Sequence, residues 1–279
     1  MNAGEARWMV NGQPGGTLRP DDRGFAYGDG LFETMAWRDG ALRLFDRHLQ
    51  RLQSGCRRLG LPVPEITGLV EEISALADGQ TRGTVRLTLS RGPGQRGYTA
   101  PAAPAVTRVI GFFPDSPGPA PAALAVDLCQ VPASINPVLA GLKTLNRLDN
   151  VLARTEISRR RLDEGIMCTP AGQVIGATAA NVFGIRGDVL LTPELSQGGV
   201  AGVMRGLVLD CAATLGITTR ETRIDVDALL HMEEMFLTNA LTGLRPVTSF
   251  AGRPLGSGKL THALALALQA RGIAEARAC

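Results

Sequence analysis

The chain has 279 residues, 44% of them hydrophobic and 20% charged, with a net charge of +3. That composition excludes a disordered chain and supplies a core for two ordinary domains or one large one. The basic residues are scattered and no apolar run nears the roughly 18 residues of a membrane span, so neither nucleic acid nor a bilayer is expected as partner.

Taken in chain order, Arg7 to Val10 reads as a strand closed by the turn Asn11-Gly12. Leu31 to Trp37 is a second strand, followed by the turn Asp39-Gly40, and Leu42 to Phe45 continues the sheet. Asp46 has the chemistry of an N-cap for a helix with Leu49, Leu52, Cys56 and Leu59 on one face, stopped by Gly60. Residues 65–78 form another helix, and Thr84 to Leu89 and Val106 to Phe113 two more strands. The segment 114–122 holds four prolines and one glycine, the composition of a linker. Beyond it lie a strand at Leu124 to Val131 and a helix over 146–162 with Leu148, Val151, Leu152 and Thr155 on one side. Short strands follow at 173–176, 180–185 and 188–192. A helix over 203–215 places Val203, Leu207, Cys211 and Leu215 on its core face, with Gly216 as its stop. Met235 to Thr238 and Val247 to Ala251 are late strands, and 259–270 a terminal helix. The pattern predicts an α+β or α/β protein with a small N-terminal domain (1–117), a linker (118–122) and a larger mixed domain (123–279).

The N-terminal stretch has no signal-peptide core, and the five cysteines are odd in number and never in C-x-x-C spacing. Both features predict free thiols in a cytoplasmic protein. Gly92, Gly94 and Gly97 fit G-x-G-x-x-G, but Pro93, Pro101 and Pro104 prevent the helix a dinucleotide site needs. The stretch reads instead as a plain turn or as a loop presenting Arg91, Arg96 and Tyr98. GSGKL at 256–260 has Leu260 where a P-loop places Ser or Thr, which leaves Lys259 a surface lysine at a helix start. His48, His231 and His262 lack metal-ligand spacing, so no metal is expected.

Of the 29 basic residues only two, Lys143 and Lys259, are lysines. A chain that uses arginine for its surface cations keeps a lysine where a primary amine is needed, since an ammonium can lose its proton and attack a carbonyl. Lys143 lies between apolar Leu142 and Leu145, which favours the neutral amine. It reads either as a snorkelling surface lysine or as a Schiff-base nucleophile, and the second points to pyridoxal phosphate. A phosphate needs an anion seat. SQGGVAGVMRG at 196–206 leads glycines into a helix start, where the N–H groups of Gly202, Val203 and Met204 can face one. The same glycines also suit a tight loop. Arg51 is a second cation for a phosphate, or a solvated helix arginine.

These residues carry a resemblance. YGDGLFET (27–34), RHLQRLQSGCRRL (47–59), GLKTLNRLDNVLAR (141–154), AANVF (179–183), TPELSQGGVAGVMR (192–205) and EEMFLTNAL (233–241) resemble, in order and spacing, the fold-type IV pyridoxal-phosphate enzymes. That family holds branched-chain and D-amino-acid aminotransferases and 4-amino-4-deoxychorismate lyases. SRGPGQRGY (90–98), LKTLNRLD (142–149) and TNAL (238–241) are most similar to the lyase branch, whereas the aminotransferases carry tyrosine at the position of Leu148.

The resemblance implies a two-domain fold, pyridoxal 5′-phosphate as cofactor, a homodimer, and release of 4-aminobenzoate and pyruvate from 4-amino-4-deoxychorismate. It makes Lys143 the catalytic lysine. It gives the cofactor phosphate to Arg51 and to the backbone of Val203 and Met204, with Asn239 and Ala240 completing the cup, and turns Arg91, Arg96 and Tyr98 toward substrate. An aminotransferase acting on D- or branched-chain amino acids, or a cofactor-binding protein without catalysis, are the alternatives. One departure stands out: where the family places a glutamate against the pyridine nitrogen, this chain has Gly176. Thr178 is the nearby hydroxyl.

Overall fold

The computed structural model describes residues 5–115, 123–256 and 258–277. The chain divides into two compact units, Met1–Gly118 with Leu142–Asn146, and Pro119–Gly141 with Arg147–Cys279. The expected linker at 118–122 lies outside the described residues, as does Cys279. Cys56, Cys129, Cys168 and Cys211 are free thiols. Among the described residues no helix is long and apolar enough to cross a membrane.

The first unit comprises β1 (Arg7–Val10), β2 (Gln13–Pro14), α1 (Arg23–Tyr27), β3 (Gly30–Arg38), β4 (Ala41–Leu42), α2 (Phe45–Leu59), α3 (Ile66–Leu76), β5 (Arg82–Ser90) and β6 (Thr107–Pro114). Its sheet runs β2-β1-β6-β5-β3-β4, antiparallel throughout. Alternation decides its faces. Leu31, Glu33 and Met35 of β3 stand opposite Leu89, Leu87 and Val85 of β5. All six are buried. The other face of β5, with Thr84, Arg86 and Thr88, is half open. The turns at Asn11-Gly12 and Asp39-Gly40 have positive φ at all four residues, as hairpin turns of this kind require. The sheet stops at Leu42. Leu44, in the left-handed region at φ 56°, begins α2, and Asp46 sits inside the first turn without capping it. Gly60 ends the helix at φ 62°.

The second unit comprises β7 (Leu124–Leu128), α4 (Leu148–Arg159), β8 (Glu164–Cys168), β9 (Val174–Ala177), β10 (Asn181–Arg186), β11 (Val189–Pro193), α5 (Val203–Thr214), β12 (Thr218–Thr222), α6 (Val226–Leu230), β13 (Glu234–Asn239), β14 (Gly243–Phe250), β15 (Arg253–Pro254) and α7 (Lys259–Ala270). The strand order is β12-β11-β10-β13-β14-β7-β8-β9, with β15 added to β14. β9 at the end of that path turns directly into β10, where the Ala177 N–H donates to the Ala180 carbonyl at 2.8 Å, so the sheet curls back on itself. Val126, Ile166, Val174, Val182, Leu237 and Phe250 belong to one buried cluster. On β10 and β13, Phe183 stacks on Phe236. In α4 the packed residues are Ala153 and Ile157; the expected apolar side, Leu148, Val151 and Leu152, is exposed. In α5, Val203, Leu207 and Cys211 are buried as expected, while Leu215 lies past the helix end and is exposed. Lys259 is exposed at the first position of α7.

Candidate active site

Lys143 reaches the first unit on the edge of β3. β4 pairs only with Trp37 and Arg38, so the other end of that edge is open to a second partner. The segment Leu142–Asn146 takes it. The Phe32 N–H donates to the Lys143 carbonyl at 2.9 Å and the Leu145 N–H to the Gly30 carbonyl at 3.0 Å, with Thr144 opposite Leu31. Gly30 permits this approach: a Cβ there would stand 2.2 Å from the Leu89 carbonyl oxygen and 2.8 Å from a Leu145 methyl. Leu142 and Thr144 are buried, and the Lys143 Nζ lies 4.2 Å above the Phe32 ring. An aromatic face holds an ammonium in this way at a worth of about 0.5–2 kcal/mol.

On the covered face of the same strand, Glu33 is buried among polar partners. It accepts from Arg51 Nε on Oε1 at 2.8 Å and from His48 Nδ1 on Oε2 at 2.6 Å, and Arg51 Nη2 adds a second bond to Oε2. Burial alone would raise the Glu33 carboxyl, but the bonds from Arg51 and His48 outweigh it and hold it below the ordinary carboxylate range. Burial pushes the His48 imidazole down against the pull of Glu33, and the charges of Arg51 and Lys143 lower it further. Arg51 is therefore an ion-paired arginine of the α2–β3 contact, not a solvated one.

The loop after β5 departs from expectation at Arg91. Its guanidinium donates to Asp29 through Nε at 2.8 Å, to the Gly60 carbonyl through Nη1 at 3.1 Å and to the Leu59 carbonyl through Nη2 at 2.8 Å. Three groups of the fold occupy it where substrate was expected, because Asp29 and the end of α2 converge on the start of the loop. Arg96 and Tyr98 are exposed, and Tyr98 packs on Tyr27 at 5.6 Å. Arg23 fastens this loop from beneath, donating to the carbonyls of Gly97, Tyr98 and Thr99.

Sequence reasoning passed over Arg86. On the half-open face of the sheet its guanidinium stands 4.3 Å from the centroid of the Phe32 ring that Lys143 also covers. Burial lowers its pKa, and among the described residues no carboxylate offsets the loss of water. The signal was present as an arginine between Thr84 and Thr88 on the polar side of an alternating strand.

In the second unit, α5 begins at Gly202 with no side chain capping its first turn, where Val203 and Met204 stand. The preceding loop is held by Gly141, whose N–H donates to the Gly199 carbonyl and whose carbonyl accepts from the Ala201 N–H, each at 3.0 Å. A Cβ on Gly202 would lie 2.0 Å from Asn181 Oδ1. Asn239 shapes the turn into β14: its Oδ1 accepts from the N–H groups of Leu241 and Thr242 and from the Thr242 hydroxyl, and Ala240 lies within that turn. Gly176 pairs with Met167, and the nearest atom to a Cβ there would be the Ala180 carbonyl oxygen at 3.3 Å. The Thr178 hydroxyl donates to buried Glu164.

The family model for amino-transferase class IV matches residues 30–250. An aminodeoxychorismate lyase from Vibrio harveyi is 31% identical over 270 residues, 92% of this chain and 97% of the relative. The crystal structure of 4-amino-4-deoxychorismate lyase from Pseudomonas aeruginosa superimposes with a TM-score of 0.88 at 35% identity, covering 96% of this chain and 99% of that one. A D-alanine aminotransferase from Bacillus licheniformis is 28% identical over 263 residues, 89% of each chain.

Proposed function

Because this chain belongs to the amino-transferase class IV family, we propose that it is a lyase that converts 4-amino-4-deoxychorismate to 4-aminobenzoate and pyruvate. The observation that carries the reading is full-length similarity to two lyases at 31% and 35% identity, above the 28% of the aminotransferase. The family's cofactor is pyridoxal 5′-phosphate, which supplies an aldehyde for a primary amine and a ring that withdraws electrons. The residues fit that group. A scarce lysine is fixed by backbone bonds at the edge of β3, and α5 offers an uncapped helix start whose approach only glycine leaves open.

In the first unit, Lys143 would hold the aldehyde through Nζ, and its free amine would be the base that takes the substrate's ring C–H proton. The bond from the ring to the enolpyruvyl oxygen breaks, and the departing enolpyruvate keeps that electron pair, gains a proton and becomes pyruvate. The six-membered ring becomes aromatic, so no oxidant or reductant is consumed. Arg51, ion-paired with Glu33, is the arginine of the first unit proposed for the phosphate. Arg86 is the cation for a substrate carboxylate, with Arg96 and Tyr98 on the adjoining loop, and Arg91 leaves that group. In the second unit the N–H groups of Val203 and Met204 are the phosphate donors, and Asn239 holds the turn that carries Ala240. The protein works as a homodimer in the cytoplasm.

Gly176 supports the lyase over an aminotransferase. Aromatisation drives the elimination, so the reaction depends less on a carboxylate at the ring nitrogen than amino-group transfer does. The test is the purified protein with 4-amino-4-deoxychorismate, following 4-aminobenzoate and pyruvate, beside D-alanine or a branched-chain amino acid with 2-oxoglutarate. Turnover of the first alone is expected, with borohydride fixing the cofactor to the Lys143 peptide. Amino-group transfer with no 4-aminobenzoate would replace this reading by an aminotransferase.

A further inference from the structure

We infer that Arg23 is a positioning residue: anchored on Asp29, it clamps the backbone of residues 97–99 and so holds Arg96 and Tyr98 in place for substrate. This rests on the reading above, which turns those two side chains toward substrate. β5 and β6 are antiparallel neighbours whose ends, Ser90 and Thr107, face each other. About two to five residues close such a hairpin, yet residues 91–106 do so here, and they contain neither helix nor strand. A loop of that length keeps its conformational freedom unless the fold binds it. Arg23, 4% exposed, does the binding. Its Nε donates to Asp29 at 2.9 Å, its Nη1 to the carbonyls of Gly97 at 2.9 Å and Thr99 at 3.3 Å, and its Nη2 to the Tyr98 carbonyl at 3.0 Å. Three consecutive carbonyls on one planar fork fix a path of backbone. Asp29 also receives Arg91 at the base of the loop, so one carboxylate anchors both arginines that hold it.

The three glycines that do not make a dinucleotide site serve this clamp. The Gly92 carbonyl accepts from the Arg23 N–H at 2.9 Å, and a Cβ on Gly92 would lie 1.8 Å from the Ala105 carbonyl oxygen. A Cβ on Gly94 would lie 2.9 Å from Arg23 Cδ, so the arginine stem passes directly beneath it. Gly97 has φ 114°, a conformation that glycine alone adopts readily, and its N–H donates to the Tyr27 hydroxyl at 3.1 Å. The Tyr27 ring in turn lies 5.0 Å from the Arg23 guanidinium carbon. Within the loop, Arg23 holds backbone alone. The side chains of Arg96 and Tyr98 project from it, and Tyr98 is 88% exposed. The strands β5 and β6 pair along their length without this loop, so a buried guanidinium given over to its backbone is poorly explained by the stability of the sheet.

The test uses the cofactor-loaded protein and two readouts: the rate at which trypsin cuts after Arg96, followed by peptide mass, and KM with kcat for 4-amino-4-deoxychorismate. Arg23→Gln is expected to raise both the cutting rate and KM by about 10-fold. Its kcat should stay within about threefold and its affinity for pyridoxal 5′-phosphate within about twofold of the parent. Gly97→Ala should shift cutting rate and KM in the same direction, because alanine disfavours φ 114° and the carbonyls then turn from Arg23. The new methyl meets nothing within 4 Å, so this variant keeps the test decisive if Arg23→Gln does not fold. An unchanged cutting rate would overturn the clamp. Faster cutting at an unchanged KM, or a loss of kcat and cofactor affinity alone, would overturn the positioning role. A parent that releases no 4-aminobenzoate would overturn the proposed function instead, and the trypsin comparison would still judge the clamp.

Discussion

Replacing Gly202 with alanine isolates the space at the start of α5 from its backbone geometry. The residue has φ −64° and ψ 138°, which any amino acid adopts, so alanine meets no torsional objection. The new methyl would stand 2.0 Å from Asn181 Oδ1 and 3.2 Å from its Cγ. Ordinary carbon–oxygen contact begins near about 3.3 Å. Asn181 must therefore retreat by more than about 1 Å, and its 2.9 Å bond from Nδ2 to the Val200 carbonyl is lost with the movement. Overpacking costs about 1–3 kcal/mol and the hydrogen bond about 1 kcal/mol, so the cofactor-free variant should be about 2–4 kcal/mol less stable. Denaturant unfolding measures this, and cofactor titration should show weaker binding because the proposed phosphate donors, Val203 and Met204, follow Gly202 directly. The double-mutant cycle with Asn181→Ala supplies the decisive arm: with the amide gone, Gly202→Ala should cost less than about 1 kcal/mol. Additive effects, or a variant as stable as the parent, would refute the steric account.

Arg91→Ala should lower stability by about 2–4 kcal/mol, because it leaves Asp29 and two carbonyls short of a buried donor, while KM for the amine substrate stays within about twofold. A raised KM at unchanged stability would return Arg91 to the substrate. His48 predicts a pH dependence. Its folded pKa lies below the unfolded value of about 6.5, so between the two the unfolded chain binds more protons and stability rises with pH, by at most about 1.4 kcal/mol per unit. Glu33 stays ionised through that window because its own value is held low. Unfolding free energy should fall as pH drops from about 7.5 to about 5.5, and fall less in His48→Asn; parallel profiles would remove the histidine from the account. A Cβ at Gly176 (φ 159°) would stand 3.3 Å from the Ala180 carbonyl oxygen, so Gly176→Glu should cost some stability as that backbone gives way; in the folded variant the ratio of amino-group transfer to 4-aminobenzoate release should rise, and fast transfer in the parent would sink the argument from Gly176.

Much of the architecture was legible because it rests on local rules. Asn-Gly and Asp-Gly marked two turns, Gly60 and Gly216 ended helices, and alternation exposed β5. β8 escaped because EGIMC, buried almost throughout, lacks alternation, and β12 because TTRET is a polar strand at the end of the sheet with no apolar signal. The exposed side of α4 shows why periodicity alone misleads: the stripe was real, but Ala153 and Ile157 do the packing. The scarcity of lysine pointed to Lys143, and glycine placement to the start of α5. Arg91 and Glu33 were opaque for one reason. The partners that define them lie far off in sequence, Asp29 in one case and the α2 pair in the other, and no local window contains both members.

The pairing of residues 143–145 with 30–32 spans more than a hundred residues of chain. A nascent polypeptide emerging from the ribosome completes every strand of the first sheet by residue 114 and still carries no amine at its edge. Lys143, the amine of the proposed reaction, arrives only after the first strand of the second unit has been synthesised, and long-range closures of this kind are slow. A product truncated after residue 114 but before residue 143 thus holds every strand of that sheet and lacks the lysine proposed to react.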